Sequence, residues 1–466
     1  MSNLDKDKAT RDAEATVPAQ QTTTAEPNAA TAEPNAATAG SKTPTATAQT
    51  GGNGAAPGAD PAVDPRLLVR EQGFAGYLGE FKRKIRGGEL GAVPVVCGLI
   101  IIWGIFEFTT GRFLDPNNLS NISQYIVGPG LISVGIVFVL LLGEIDLSVG
   151  SVAGVTAAIS SVLAIKQGVN EGLAVLLGLL AAAAIGAVHG FFFAKIGVPA
   201  FVVTLAGMLG WQGLQLHVLG DTLSLNNLSD GVVHTLNNYY FEDIAVAYGL
   251  AAVGAAGILL TALRERARRK AVDLPHRQMP EIVLRTGVLS AVLFAAAWVY
   301  NQYKGLPLGI TIFVGIVVLA SYVLRRTNYG RQVFAVGGGI EAARRAGINV
   351  AWIRISVFTT SGFLAGLGGL FVASQSGVAD STLGGGNTLP LVIAAAVIGG
   401  TSLFGGRGTP WSALLGILVI QSIITGLYMN GSSSQAMQYM ITGAVLLGAV
   451  VLDSVSRRTQ KSSGRA

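Results

Sequence analysis

The sequence predicts an all-α protein, a polytopic transmembrane helical bundle of about 10–12 spans, and three observations carry that prediction. Half of the 466 residues are hydrophobic and only 12% are charged, against roughly 25% charged in an ordinary soluble domain; the mean hydropathy is +0.53. Apolar runs of spanning or near-spanning length recur from Gly91 onward. The lysines and arginines between those runs gather in alternate connections, as membrane topology requires.

Residues 1–65 are rich in Ala, Thr, Pro, Gly and Gln and carry a direct repeat, TAEPNAA at 24–30 and again at 31–37. Such a segment buries too little apolar area to offset the entropy of ordering, so it reads as a disordered tail. It lacks the basic segment followed by an apolar core that a cleaved signal peptide needs. Residues 66–90, with KRKIR at 82–86, read as a basic juxtamembrane segment. Residues 91–453 form the membrane domain, and 454–466, with RRTQKSSGR, a basic tail.

Because about 20 apolar residues cross the hydrocarbon core, the domain divides into twelve candidate spans. They lie near 91–110, 124–143, 148–165, 172–194, 199–219, 244–263, 284–302, 308–325, 353–376, 389–404, 410–429 and 436–453. The stretches 148–165 and 389–404 are short and fit broken or re-entrant helices buried in protein. The loops holding RERARRK (264–270) and RRTNYGR (325–331) fall on one side with both termini. Only Arg112, Lys166 and Lys304 are left on the other, where residues 220–243 carry Asp221, Asp230, Glu242 and Asp243 and no cation. The positive-inside rule therefore places both termini in the cytoplasm.

Glycine, at 62 residues, is about twice its average usage. The small-xxx-small stretches 150–154, 186–190 and 362–366 read as close helix contacts. The single cysteine, Cys97, excludes a disulfide framework and reads as a buried small hydrophobe. The sequence pI near 9.4 reflects topology rather than nucleic-acid binding. Four histidines, at 189, 217, 234 and 276, lack metal-ligand spacing, and His189 and His217 read as packed or hydrogen-bonded structural residues. No G-x-x-x-x-G-K-[ST] phosphate cradle and no hydrolase constellation is present, so the chain is expected to bind no cofactor and to be no enzyme. The glycine-rich GGTSLFGGRGTP (399–410) joins two apolar segments as a tight turn at membrane level.

Ionisable residues inside spans are functional candidates because desolvating them is costly. Among carboxylates, Glu107, Glu144, Asp146 and Asp453 are the few here, which weighs against an ion-coupled carrier. In GEIDLSVGS (143–151), Asp146 and Ser148, beside Glu144, suit either a helix cap near Leu147 or a gate. Thr204, Trp211, Gln212 and Gln215, with His217, combine an aromatic face with amide and hydroxyl groups. They suit a path for a hydroxyl-rich solute or, alternatively, polar ties between helices. In GGGIEAARRAGINV (337–350) a strong helix-forming core is closed by Gly347, a helix stop. A short helix there would expose Glu341, Arg344 and Arg345 to solvent or to a partner.

Taken together, GEIDLSVGS, VPAFVVTLAGML (198–209), GRQVFAVGGGIEAARRAGINV (330–350) and GGTSLFGGRGTPWSALLG (399–416) resemble the permease subunit of bacterial ABC importers for monosaccharides, and most of all its xylose-type members. The resemblance covers roughly residues 91–453. It implies a permease pair, a cytoplasmic ATPase that carries ATP and Mg, and an extracytoplasmic sugar-binding protein that delivers the monosaccharide. It also implies that Glu341, Ala342, Ala343, Arg344, Arg345 and Gly347 form the segment that docks on the ATPase. Residues 264–306 depart from the shorter ribose-type permeases by a basic loop and an extra span, and Gly339 stands where a polar residue is common. An ion-coupled carrier of a small polar solute is the alternative reading.

Overall fold

The computed structural model describes residues 93–226, 231–274, 276–431 and 434–462, all within one compact unit. The tail and basic segment expected over 1–90, and residues 463–466, lie outside the described residues. The first span is α1 (Val93–Thr110). Next come α2 (Pro116–Tyr125) and α3 (Val127–Leu141), one apolar span bent by 44° at Ile126. Then follow α4 (Val149–Ser161) and α5 (Glu171–Phe191), each closed by a π-helical turn at 162–166 and 192–196, and α6 (Ala200–Leu219). After β1 (Ser224–Asn226), the short α7 (Val232–Asn238) and β2 (Tyr240–Phe241) come two long helices, α8 (Ile244–Lys270) and α9 (Met279–Asn301).

Strand β3 (Leu306–Pro307) leads into α10 (Leu308–Arg326), α11 (Asn328–Gly338) and the six-residue α12 (Ile340–Arg345). The chain ends through α13 (Val350–Ser376), β4 (Val378–Asp380), α14 (Thr388–Ile398), α15 (Pro410–Met429) and α16 (Gln435–Ser462). Among the described residues, nine helices are long and apolar enough to cross a membrane, or ten when the bent pair counts as one. The 148–165 stretch is a continuous helix rather than a broken one, because its π-turn extends it to 18 residues. Of the two short stretches, 389–404 holds the short helix expected, the 11-residue α14, which does not span. A further break, not expected from the sequence, falls at the α2–α3 joint.

Three helices occupy the centre, α3, α4 and α13, and every residue of α3 except Pro129 is buried. The apolar windows of α4 and α13 are 67% and 61% buried, whereas those of α1, α8 and α9 are 0%, 11% and 17% buried. Lipid gives helices no hydrophobic reason to associate, so close van der Waals approach and polar ties must hold them. The glycine stretches supply the approach: a Cβ on Gly362 would lie 2.4 Å from the Ala182 carbonyl oxygen, and one on Gly186 would lie 2.2 Å from that of Phe358. Thus 186–190 on α5 and 362–366 on α13 pack face to face. The 150–154 stretch instead abuts the Leu383–Gly384 turn and Gln215. Side chains supply the ties, with Ser133 Oγ donating to the Val392 carbonyl at 2.9 Å and Trp103 Nε1 to Ser422 Oγ at 2.9 Å.

Two small antiparallel ribbons close one end of the bundle. β1 pairs with β4 (Leu225 opposite Ala379), and β2 pairs with β3 (Phe241 opposite Leu306). The opposite end carries the basic connections 264–270 and 325–331 and is termed the basic face below. Cys97, expected to be buried, is exposed on α1. An apolar run reads the same whether it faces protein or lipid, and α1 lies at the periphery.

Candidate functional site

On the basic face, α11 ends at Gly338 and α12 starts two residues later through Gly339, whose φ of 173° is ordinary extended backbone. Glycine there brings no capping side chain to the start of α12. Within α12 only Ala343 is buried, at 3% exposure; Glu341, Ala342, Arg344 and Arg345 all face outward. Glu341 Oε1 accepts from Arg344 Nη1 at 2.8 Å on that exposed side. Gly347 sits at φ +78° with open space around its α-carbon, so its requirement is conformational rather than steric. Asn349 then caps α13 by accepting from the Trp352 amide at 3.0 Å. The segment is thus a small helix held by Ala343 and the partly buried Ile340, with its polar side chains free.

Main chain locks this segment to its neighbours. The Gly406 amide donates to the Leu141 carbonyl at 2.9 Å. A Cβ on Gly337 would stand 1.8 Å from that same carbonyl oxygen and 2.9 Å from the Gly406 nitrogen. The end of α3, the end of α11 and the 399–410 turn therefore meet backbone to backbone. Three of the four sequence motifs converge at this junction.

Behind it runs a buried polar chain. Asp146 is 2% exposed and does not cap α4. Its Oδ1 instead accepts from the Ser148 amide at 2.9 Å and from Ser148 Oγ at 2.6 Å, an Asx turn just ahead of the helix. Its Oδ2 accepts from Ser361 Oγ on α13 at 3.3 Å. Ser148 Oγ also lies 3.2 Å from His189 Nδ1, and His189 Nε2 accepts from Trp211 Nε1 at 2.8 Å. The tautomer follows: with Nε2 accepting, a neutral ring carries its proton on Nδ1 and donates toward Ser148. The chain connects α13, the α3–α4 loop, α5 and α6.

Of the residues singled out by sequence, Asp146, Ser148 and Trp211 thus stand in one network. Thr204 is close by, donating to the Ala200 carbonyl at 2.9 Å and approaching that of Ile145 at 3.5 Å. Gln215 lies nearer the ribbon end, where its amide donates to the Asp380 and Leu383 carbonyls at 2.8 and 3.2 Å. Gln212 and His217 are exposed on α6 and join neither group. Sequence reasoning left out Ser361, which carries no signal in its helix. His189, read as a packed or hydrogen-bonded structural residue, is hydrogen-bonded on both ring nitrogens, but the sequence did not show its partners.

Glu144 stands apart from the chain, 4.0 Å from Arg354 Nη2. Burial pushes its carboxyl above the usual carboxylate range, and the nearby guanidinium opposes that shift. Arg354 in turn lies over the Phe193 ring, 4.2 Å from its centre. Together with Arg344 and Asn349 it lines an open pocket of about 280 Å³ beside the α12–α13 connection. Among the described residues no group of three or more His, Cys, Asp or Glu side chains could hold a metal.

A bundle of this kind, with a free amphipathic knob on its basic face and a buried polar chain behind it, is that of a membrane transport permease. Residues 118–450 match the family described as branched-chain amino acid transport system / permease component, and the chain belongs to that family. It is 32% identical over 367 residues to the xylose transport system permease protein of Escherichia coli, covering 78% of this chain and 92% of that protein. It is 29% identical over 376 residues to the xylose transport system permease protein of Haemophilus influenzae, with 80% and 99% covered. The ribose import permease protein of Bacillus subtilis is 31% identical over 374 residues, with 80% and 96% covered. No solved structure matches the chain.

Proposed function

We propose that this chain is the membrane-spanning permease subunit of an ATP-driven importer of a monosaccharide, xylose or a closely related sugar, in the bacterial plasma membrane. The observation that carries the reading is α12, a helix whose polar face is left open on the basic side while its base is locked to α3 and the 399–410 turn. The relatives named for xylose and ribose transport support the sugar class. The positive-inside distribution supports a cytoplasmic position for that face and for both termini.

In this reading a separate ATPase, carrying ATP and Mg, docks on Glu341, Ala342, Arg344, Arg345 and the Gly347 turn, with Ala343 as the internal anchor. An extracytoplasmic binding protein presents the sugar at the ribbon end, and a second copy of the permease completes the path. Movement of α12 shifts α13, and with it the Ser361 end of the buried chain, so that the bundle alternates between inward and outward access. Thr204 and Trp211 lie where that chain meets α6 and suit hydroxyl groups passing along it.

The test is uptake into vesicles holding the permease with its ATPase and binding protein. Gly347→Val and Glu341→Arg should each lower ATPase association and sugar uptake while leaving the permease folded. Full uptake by both variants would remove the docking assignment. Uptake driven by a proton or sodium gradient, without ATP or the ATPase, would replace the importer with an ion-coupled carrier. Competition among xylose, ribose and other sugars then assigns the cargo.

A further inference from the structure

Helices α8 and α9 form a peripheral hairpin whose faces turn mostly outward. They hold each other through stacked Tyr248 and Phe294, 6.3 Å between ring centres, and at their tip through Arg266 Nη1 donating to the Arg277 carbonyl at 2.9 Å. With 27 residues, α8 is about 40 Å long and outruns the hydrocarbon core by about 10 Å. That overrun sets its last residues, Arg264 to Lys270, at headgroup level.

Arg285 is the anomaly. It lies on α9 among the exposed Val283, Leu284, Val288 and Val292, inside an apolar window rather than beyond it. About 24 Å of helix separates it from Asn301 at the far end, which puts its α-carbon about 6 Å inside a core of about 30 Å. Among the described residues its guanidinium has no hydrogen-bond or ion-pair partner. A charged side chain at such a depth normally turns to the bundle interior or pairs with a neighbour. Here its stem follows an open groove of about 320 Å³ lined by Glu281, Leu284, Arg285, Val288 and Leu289. The one carboxylate in that groove, Glu281, is already engaged by Arg277 at 3.3 Å.

We propose that this groove is a binding site for an anionic phospholipid, with an acyl chain along Leu284 and Val288 and the headgroup phosphate on Arg285 under the basic tip of α8. A long arginine stem can lift its head to the interface while covering apolar surface, and a phosphate supplies the counter-charge that the protein does not. The basic tip adds attraction of the same sign. The site lies on the hairpin, away from the α12 knob and the buried polar chain, so it stands independently of the transport reading.

The experiment uses the full chain in mild detergent, titrated with phosphatidylglycerol or phosphatidylcholine and followed by native mass spectrometry and thermal melting. Phosphatidylglycerol should be retained in preference to phosphatidylcholine. Arg285→Leu should lower that occupancy about fivefold, the worth of one interfacial arginine. Arg285→Lys should keep most of it, and both variants should melt like the parent when no lipid is added. Equal retention of the two lipids, or full phosphatidylglycerol binding by Arg285→Leu, would overturn the proposal. Displacement of the lipid by inorganic phosphate would make this a soluble-anion site instead. Loss of a dimer in Arg285→Leu without change in lipid binding would show that a second copy occupies the groove.

Discussion

Replacing Gly337 by alanine places a methyl group where the geometry leaves no room for it. The added Cβ would lie 1.8 Å from the Leu141 carbonyl oxygen, with the Gly406 nitrogen at 2.9 Å. Ordinary contact needs more than 3 Å, and backbone cannot turn aside as a flexible side chain can. The end of α3 or the 399–410 turn must therefore move by more than 1 Å. Forced overpacking costs about 1–3 kcal/mol, and weakening the Gly406–Leu141 hydrogen bond adds about 1 kcal/mol, so the expected loss is about 2–4 kcal/mol. Gly338 provides the control: it lies in the same helix with nothing within 4 Å of an added Cβ. Gly338→Ala should be neutral or slightly stabilising through helix propensity. Denaturant or thermal unfolding of the two variants in one detergent, followed by uptake in reconstituted vesicles, makes the comparison. Equal stability and equal uptake would refute the reading of this junction as a rigid main-chain contact.

Two further substitutions probe the polar groups behind that junction. Asp146→Leu would strip the acceptor from the Ser148 amide and hydroxyl and from Ser361, costing about 3 kcal/mol or more; Asp146→Asn, which keeps an acceptor for Ser148, should cost about 1 kcal/mol. Melting curves that fail to separate the two would break the network assignment. Glu144 has a carboxyl raised in the folded protein by burial, so its protonated form is the one that folding favours. Its contribution is present below the unfolded carboxyl pKa and is lost as pH rises through the folded value. Melts of the parent relative to Glu144→Gln, taken between about pH 4 and pH 7, should therefore show the parent losing ground as pH increases. A constant or rising difference would contradict it.

The membrane architecture was legible in the sequence because hydropathy and the placement of Lys and Arg are one-dimensional signals. Every apolar run marked as a span contains a helix, and the boundaries of α6, α10 and α15 fall close to those read from sequence. Depth within the bundle was not legible. Cys97 on α1 and the residues of α4 are equally apolar, yet one is exposed and the others are at the centre. The short helix expected at 389–404 is α14, whereas the bend at Ile126 was passed over although Pro129, which has no N–H to donate to the Tyr125 carbonyl, marks it between two glycines, and a π-turn carried 148–165 to full spanning length. At the site, the exposed knob of α12 follows from helix propensity and a glycine stop. The partnership of Asp146 with Ser361 and of His189 with Trp211 joins residues far apart in the chain, and no local pattern encodes it.

Helix α13 begins just after the Gly347 turn and runs without a break to Gly377, directly before β4. It is a single strut about 40 Å long with its foot at the α12 knob and its head sewn into the ribbon with β1. Along its shaft the neighbours meet it through glycine: added methyls on Gly366 and Gly369 would strike Ala182 and the Ala153 carbonyl. Alongside those glycines Phe358, Leu364, Leu370 and Phe371 are buried among the neighbouring helices, and no residue along the shaft interrupts the helix. A load applied at the foot is therefore delivered to the far rim as travel of the whole strut, not dissipated in a hinge partway.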